Sequence, residues 1–527
     1  MTAPQSDDER RSFTSRTPVN NNPDQVAYRR GFVTRHQVTG WRFVMRRIAS
    51  GVALHDTRML VDPLRTQSRA VLMGVILLVT GLAGCFVLSL IRPNGSVGND
   101  TVLADRSTSA LYVRIGEQLH PVLNLTSARL IAGRPSNPTV VKSSALDRFP
   151  RGNLIGIPGA PERMVQNTSR DADWTVCDAV SGPATGVTVI AGPVDSEGAR
   201  AGELGSGRAV LVRNNDSSWL LWDGRRSRID LHDRAVTSAL GLQADELTPR
   251  AIADGLFNAI PEAPPLAAPD IPDAGNPPQF GMPVSAPVGA VVVAHAIDGA
   301  SDNTRQYYAV LPDGLQPITP VLAAVLRNTN SYGLDAPPAL AADQIAKLPV
   351  SKALDTGRYP AQPITLVDAA RDPVSCAHWS QPAGASTSSL TLLTGSALPV
   401  SDEVRTVDLV SAGAGGTATR VALGPGTGYF TQTVGQGPSS PPDGSLFWIG
   451  DTGVRYGIDD PAAGPGHGKT LEALGLTSPA VPVPWSVLSL FAPGPALSRA
   501  DALIARDWLA PDNRPARRVA TEQEAAR

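Results

Sequence analysis

A single uncharged apolar run, residues 70–91, constrains this chain more than any other feature of its sequence. A helix rises 1.5 Å per residue, so the 22 residues of this run reach about 33 Å, which matches a hydrocarbon core of about 30 Å. The sequence therefore predicts one transmembrane helix over residues 70–91. A short segment lies on one side of it, and residues 92–510 form a large body on the other.

The distribution of charge predicts the orientation of this helix. Residues 1–69 carry twelve Arg, no Lys and six acidic residues, whereas the rest of the chain holds 34 basic and 42 acidic residues, a net charge of −8. Positively charged flanks are retained in the cytoplasm. We therefore expect a cytoplasmic N-terminus and an exported bulk, and the acidic balance of the exported part argues against nucleic acid as a partner.

Two processing signals compete with a retained helix. A cleaved signal peptide needs a short basic start, and a leader of 69 residues is too long for one. Residues 82–85 resemble a bacterial lipobox, in which Cys85 would carry a lipid. A lipobox cysteine closes its apolar stretch, whereas residues 86–91 continue this one. We interpret Cys85 as a small residue of the membrane helix.

The segment before the helix divides into two parts. Residues 1–28 are polar and rich in Asn, Ser and Pro, which predicts a disordered cytoplasmic leader. Residues 29–69 are predicted to be basic and amphipathic, with Thr34 and Gln37 forming a capping box at a helix start. The residues expected to contact membrane lipids or a partner subunit are Trp41, Arg42, Val44, Arg46, Arg47 and Ile48. The alternative is a small helical hairpin that packs on itself.

The cysteines are consistent with export. With Cys85 in the membrane helix, Cys177 and Cys376 are the two that remain. In an oxidising compartment such a pair is expected to form a disulfide. Two separate buried thiols are the alternative.

The exported region is predicted to be α+β, an elongated, repeat-containing array of small β-sheets and short helices followed by a disordered tail over residues 511–527. Its repeats are inferred from four quasi-repeated stretches, each with an aromatic start, apolar residues, a Gly or Asp-Gly turn and a second short strand. They begin at Tyr112, Trp219, Tyr308 and Phe447. Each stretch predicts a β-hairpin. Their unequal spacing excludes a strict solenoid and suggests repeats arranged around a central section that the disulfide joins.

Several strings in the sequence carry a family resemblance. They are TRHQVTGWRFVMRR before the membrane helix, LHPVLNLTSARLIAGRP, PRGNLIGIPGAP and the terminal GPALSRADAL, together with the outer cysteine pair. With these strings the chain resembles EccB, the single-span inner-membrane component of mycobacterial type VII (ESX) secretion systems, from about residue 28 to residue 510. The leader is most similar to that of the ESX system linked to metal acquisition.

The resemblance implies a role and a set of partners. EccB of this family exports its bulk into the periplasm, forms dimers within a hexameric assembly and belongs to a core complex with EccC, EccD and EccE. EccC, a cytosolic motor ATPase, is implied to lie near the N-terminus of EccB. ATPase activity is also attributed to the family, which implies ATP as a candidate cofactor.

The sequence itself predicts no catalytic residues and no metal site, because it contains neither G-x-S-x-G, nor H-E-x-x-H, nor clustered Cys and His. Residues 463–470 fit a relaxed phosphate-binding loop, with Ala where the strict pattern has Gly. The candidate nucleotide-binding residues are Gly464, Gly466, Gly468, Lys469 and Thr470. Two neighbouring acids, two prolines and an exported location oppose this interpretation, and a Gly-rich structural loop is the alternative.

Two hypotheses from different classes follow. The first is a structural membrane subunit of a protein-secretion complex, which links cytoplasmic motor partners to a periplasmic assembly and self-associates through its periplasmic domain. The second is a nucleotide-hydrolysing subunit that uses Lys469 and Thr470.

Overall fold

The computed structural model divides the chain into two compact units, residues 1–94 and residues 95–527, which are described separately. Within them the structure describes residues 33–55, 63–91, 97–243, 247–295, 305–413, 416–460 and 468–509. The leader and tail predicted at the two ends of the chain lie outside the described residues, as do Gly464 and Gly466.

Two helices make up the described part of the N-terminal unit, α1 (Arg35–Leu54) and α2 (Pro63–Ile91). The predicted capping box starts α1: the Gln37 amide donates to Thr34 Oγ1 at 3.4 Å, and the Thr34 amide donates to Gln37 Oε1 at 2.9 Å. Within α2, Ser68–Leu88 is long and apolar enough to cross a membrane. The helix begins at Pro63, seven residues before the apolar run.

The first half of the C-terminal unit, residues 95–527, holds three groups of elements. The first repeat comprises β1 (Val102–Asp105), β2 (Leu111–Ile115), β3 (Gln118–Val122), α3 (Leu125–Ala132), β4 (Thr139–Val141), α4 (Ser143–Leu146) and β5 (Leu154–Ile155). Three strands of a central sheet follow: β6 (Ala172–Ala179), β7 (Gly186–Ala191) and β8 (Gly202–Glu203). The second repeat comprises β9 (Arg208–Asn214), β10 (Ser217–Trp222), β11 (Arg225–Ile229), α5 (Arg234–Ala239), β12 (Arg250–Ala251), α6 (Asp254–Ala259) and β13 (Glu262–Leu266).

The second half returns to the central sheet. The third repeat comprises β14 (Val291–His295), β15 (Arg305–Val310), β16 (Leu315–Ile318), α7 (Pro320–Thr329), β17 (Ala339–Leu340) and α8 (Ala342–Ile345), followed by a 3-10 turn (Thr356–Arg358) and β18 (Thr365–Leu366). The central sheet resumes with β19 (Val374–Gln381), β20 (Ser389–Gly395), β21 (Thr406–Asp408) and β22 (Arg420–Ala422). The fourth repeat comprises β23 (Tyr429–Val434), β24 (Leu446–Ile449), β25 (Val454–Ile458), α9 (Lys469–Leu474), β26 (Val481–Pro484), α10 (Trp485–Leu488) and β27 (Ala492–Pro493), and α11 (Arg499–Ala502) and β28 (Ala505–Arg506) follow it.

The four repeats share one order of elements. Each has three antiparallel strands, a helix, a strand parallel to the first, a short helix and a backbone pairing parallel to the third strand. Each of the four predicted hairpins is formed, between β2 and β3, β10 and β11, β15 and β16, and β24 and β25. The second has Asp223 and Gly224 at φ 44° and 71°, as a two-residue type I′ turn requires. The α+β prediction is therefore confirmed.

The repeats pack in nested pairs. The first and fourth share one hydrophobic core in which α3 packs against α9, and β28 joins β5 at the edge of the sheet of the first repeat. The second and third share another core through α5 and α7. The inner pair is inserted between β8 and β19, and β18 pairs with β9 where the insertion closes. The central sheet lies between the pairs, and α6 and α10 contact its strand β6.

In the second and fourth repeats, whose second helices α6 and α10 contact the central sheet, one arginine binds the C-terminal end of that helix. In the second repeat, Arg226 donates to the carbonyls of Phe257 and Ile260, and its guanidinium lies 4.0 Å from the centroid of the Phe257 ring. At the matching strand position of the fourth repeat, Arg455 donates to the Phe491 carbonyl at 3.2 Å and lies 5.2 Å from the centroid of the Trp485 ring. Arg226 thus supplies a donor to the Ile260 carbonyl and adds a second, charged donor to the Phe257 carbonyl, which also accepts from the Ile260 amide at 3.4 Å. Arg455 supplies a donor to the Phe491 carbonyl beyond the end of α10.

Candidate functional site

The central sheet holds the predicted disulfide. Cys177 on β6 lies directly opposite Cys376 on the antiparallel strand β19, with Cα atoms 4.0 Å apart and the sulfurs bonded. Both side chains are buried. Since the second and third repeats leave the sheet after β8 and return at β19, the bond joins the strands on the two sides of that insertion.

A polar cluster continues along the same face of the sheet. Thr175 Oγ1 and His378 Nδ1 are 2.9 Å apart, and His378 Nε2 lies 3.7 Å from Asp173 Oδ1, which also accepts from the Ser380 hydroxyl at 2.8 Å. Burial lowers the pKa of His378, and Asp173 opposes that shift. The group resembles a hydrolase relay, but Thr175 is fully buried, so no substrate reaches its hydroxyl. We interpret the cluster as a hydrogen-bonded part of the core. No sequence motif marks this cluster, because its members come from two strands that are distant in the chain.

A buried charge pair connects the central sheet to the second repeat. Asp178, next to Cys177, accepts from the Ala253 amide at 2.9 Å and so satisfies a donor at the start of α6. Burial raises the pKa of Asp178 and lowers that of Arg250 on β12, and each charge opposes the shift of the other. These groups position the second repeat against the sheet.

The described part of the phosphate-loop candidate is already occupied by a carboxylate of the chain. The amides of Gly468 and Thr470 donate to Asp460 Oδ2 and Oδ1 at 2.8 and 3.1 Å. The Thr470 hydroxyl donates to the Asp459 carbonyl at 2.9 Å, while the Lys469 side chain is exposed. A phosphate-binding loop offers such amides and such a hydroxyl to the nucleotide and its magnesium ion. In the described residues the same donors bind Asp460 and the Asp459 carbonyl instead, and these bonds stabilise the start of α9.

Five of the six predicted contact residues on α1 lie on or beside one face. Trp41, Val44 and Ile48 fall within this face, and their side chains are 65%, 51% and 55% exposed. Arg42 and Arg47 flank the face, whereas Arg46 falls on the opposite side of the helix, and α1 contains no acidic residue. A helix with an exposed apolar face and basic flanks suits a lipid surface or an apolar partner. Among the described residues, no cluster of three His, Cys, Asp or Glu side chains could hold a metal ion.

Comparison with known proteins identifies the class. Residues 30–511 match the family model described as "Type VII secretion system ESX-1, transport TM domain B". The chain therefore belongs to the EccB family of type VII secretion system membrane proteins. It is 71% identical to the "ESX-3 secretion system ATPase EccB3" of Mycobacterium tuberculosis (strain ATCC 25618 / H37Rv) over 98% of this chain and 97% of that protein. The "ESX-5 secretion system ATPase EccB5" of the same strain is 38% identical over 93% of this chain and 97% of that protein. Within the family, the chain thus groups with the ESX-3 members.

Solved structures show the same fold. The EccB3 dimer from the ESX-3 core complex is 60% identical, covers 77% of this chain and all of that chain, and has a TM-score of 0.69. A chain of the intact ESX-5 inner membrane complex is 37% identical, covers 94% of this chain and all of that chain, and has a TM-score of 0.72.

Proposed function

We propose that this chain is the EccB subunit of an ESX inner membrane complex and that its role is structural. The observation that carries the proposal is one long apolar helix, Ser68–Leu88, the one candidate membrane span among the described residues. In sequence it separates a basic helix from a unit whose described strands form five sheets. Such a chain anchors a large exported body without providing a translocation path of its own. The relatives of known structure come from an ESX-3 core complex and from an ESX-5 inner membrane complex with a periplasmic assembly.

The orientation of the subunit is part of the proposal. Arg65 and Arg69 lie just before the uncharged run of residues 70–91, and α1 adds further arginines on the same side of that run. These flanks favour retention of the N-terminus in the cytoplasm and export of residues 92–510 to the periplasm. Digestion of spheroplasts by an external protease tests this point: the exported unit should be cleaved and α1 protected. The reverse pattern would contradict the orientation.

We further propose that the apolar face of α1 docks on the inner leaflet or on a cytoplasmic partner, with EccC as the motor subunit that the family resemblance implies, and that EccD and EccE complete the core complex. Trp41 and Ile48 present the apolar contact, and Arg42 and Arg47 flank it. Self-association of the periplasmic domain is supported by the dimer of the related EccB3 structure.

Native extraction with a tagged chain tests assembly. The wild type should be recovered in a megadalton-scale particle that contains the other core subunits. Trp41→Ala is expected to reduce recovery of the cytoplasmic partner. Phe43→Ala is the matched control, because Phe43 is also exposed but lies two residues along the helix, on the opposite face. Recovery of the wild type as a free monomer would contradict the proposal.

Nucleotide hydrolysis is the second candidate function, since the curated relatives are named ATPases. The Asp460 carboxylate on the two amides opposes it. If the role is structural, any ATP hydrolysis measured with the purified full-length chain should be unaffected by Lys469→Ala. Lys347→Ala in the third repeat is the control for loss of an exposed lysine. Loss of turnover in the Lys469 variant alone, with an unchanged melting temperature, would favour the enzyme.

A further inference from the structure

The two faces of the central sheet are covered differently. Trp174, Val176 and Trp379 lie in the core that the sheet shares with the second and fourth repeats. Cys177 and Cys376 lie on the other face, in a separate small core. Two loops contribute most of the covering there: residues 192–201, between β7 and β8, and residues 396–405, between β20 and β21. We call these two loops the cover. Its side chains in the small core are Val194, Ala201, Leu398, Val400 and Val404.

The two loops of the cover are held to each other by their backbones. The Asp195 amide donates to the Pro399 carbonyl at 3.0 Å, and the Ala201 amide donates to the Ala397 carbonyl at 2.9 Å. In the reverse direction, the Ala397 amide donates to the Ala199 carbonyl at 3.2 Å. The loops therefore form one layer over the disulfide and are expected to move together.

One arginine side chain fastens this layer. Arg200 Nη1 lies 2.8 Å from Asp195 Oδ2, and Nη2 lies 2.9 Å from Asp402 Oδ1, so a single guanidinium bridges both loops. Its two partners raise the pKa of Arg200. The guanidinium is planar and presents several N–H donors in fixed directions, so it can bind the Asp195 and Asp402 carboxylates at the same time.

We propose that the cover is a latched lid over the Cys177–Cys376 bond, and that Arg200 is the positioning residue that keeps dithiols from reaching it. The thiolate of a dithiol attacks one sulfur, which gives a mixed disulfide and releases the other cysteine as a thiolate that takes a proton. The second thiol then closes the reagent into a disulfide and releases the first cysteine, so two electrons and two protons pass to the protein. Because Cys177 is 0% and Cys376 1% exposed, attack requires an opening, and its rate reports how often the cover opens.

Reduction of the oxidised full-length chain by dithiothreitol, in detergent, tests the proposal. A mass-adding maleimide counts the thiols after quenching, and Cys85 supplies one constant reference thiol. The disulfide of the Arg200→Gln variant should be reduced at least about threefold faster than that of the wild type, because the cover opens locally and more often without the Arg200 contacts. The reduction rate of Arg200→Lys should fall between those of Arg200→Gln and the wild type. Arg151→Gln is the matched control: it removes an ion pair of 2.9 Å, with Asp147, in the first repeat, and should behave as the wild type.

A second variant and a denaturant series separate a local opening from general unfolding. Asp402→Asn changes a side chain that is 98% exposed, so it weakens the latch without disturbing the core and should also speed reduction. A cover that opens locally gives a reduction rate with little dependence on low urea concentrations, whereas global unfolding gives a steep one. Equal rates in all variants, or a steep urea dependence in Arg200→Gln, would overturn the proposal.

Discussion

Replacing both Cys177 and Cys376 with alanine is expected to destabilise the central sheet by about 4 kcal/mol. The bond spans 199 residues of sequence, for which the chain-entropy model gives about 5 kcal/mol. The folded second and third repeats, which are inserted between the two cysteines, reduce this expected stabilisation. Since β18 pairs with β9, Thr365 stays opposite Arg208 as long as the inner repeats remain folded. The bond then closes only about 40 residues of free chain, and the same model gives about 4 kcal/mol.

Hydrogen exchange measured by mass spectrometry on the full-length chain resolves this effect by region. Peptides from β6 and β19 should exchange faster in the double variant, while peptides from β14 and β15 keep the protection of the wild type, because the inner repeats have their own core. Cys85→Ala is the control, since Cys85 is outside the disulfide. Unchanged protection of β6 and β19 would refute the view that the bond stabilises the sheet. Equal loss of protection in β14 would refute the independence of the insertion.

Three further outcomes are expected. Burial lowers the pKa of His378, so the unfolded chain takes up a proton that the folded chain resists, and stability should fall as the pH drops through about 6.5; His378→Gln should reduce this fall when melting temperatures at pH 7.5 and 5.5 are compared. Arg226→Ala should lower the free energy of unfolding by about 2 kcal/mol, because the Ile260 carbonyl loses its donor and the Phe257 carbonyl keeps only the Ile260 amide; a urea titration that shows no shift would contradict this. Gly428→Ala should reduce soluble expression sharply, because its Cβ would lie 2.3 Å from the Trp448 ring; a normal yield and melting temperature would show that the loop moves aside.

The sequence predicted the local features of this fold well. The membrane helix, the capping box at Thr34 and the four hairpins each depend on a few neighbouring residues, so their signals survive in a single sequence. Local geometry decides such elements, because their hydrogen bonds connect residues close in the chain.

The arrangement of the repeats was not accessible from the sequence. Unequal spacing of the hairpins concealed that the inner pair is inserted into the central sheet between β8 and β19. The pairing of the first repeat with the fourth depends on packing between α3 and α9, which lie more than 300 residues apart. No motif indicated that the Asp460 carboxylate accepts from the Gly468 and Thr470 amides, which a bound phosphate would need as donors. Each of these features is a long-range or side-chain contact that one sequence pattern does not encode.

The nesting of the repeats connects the fold to the proposed role. The chain enters the C-terminal unit just before β1, and β28, near the end of the described residues, belongs to the same six-stranded sheet as β1. A pull on the membrane helix therefore acts first on the first and fourth repeats, which share one core. The second and third repeats connect to the rest of the chain through residues 203–208, which follow β8, and residues 366–374, which lead into β19, one of the two strands that the disulfide joins. Any load passed along the chain between the inner repeats and the membrane helix would cross the central sheet, where the disulfide joins β6 to β19.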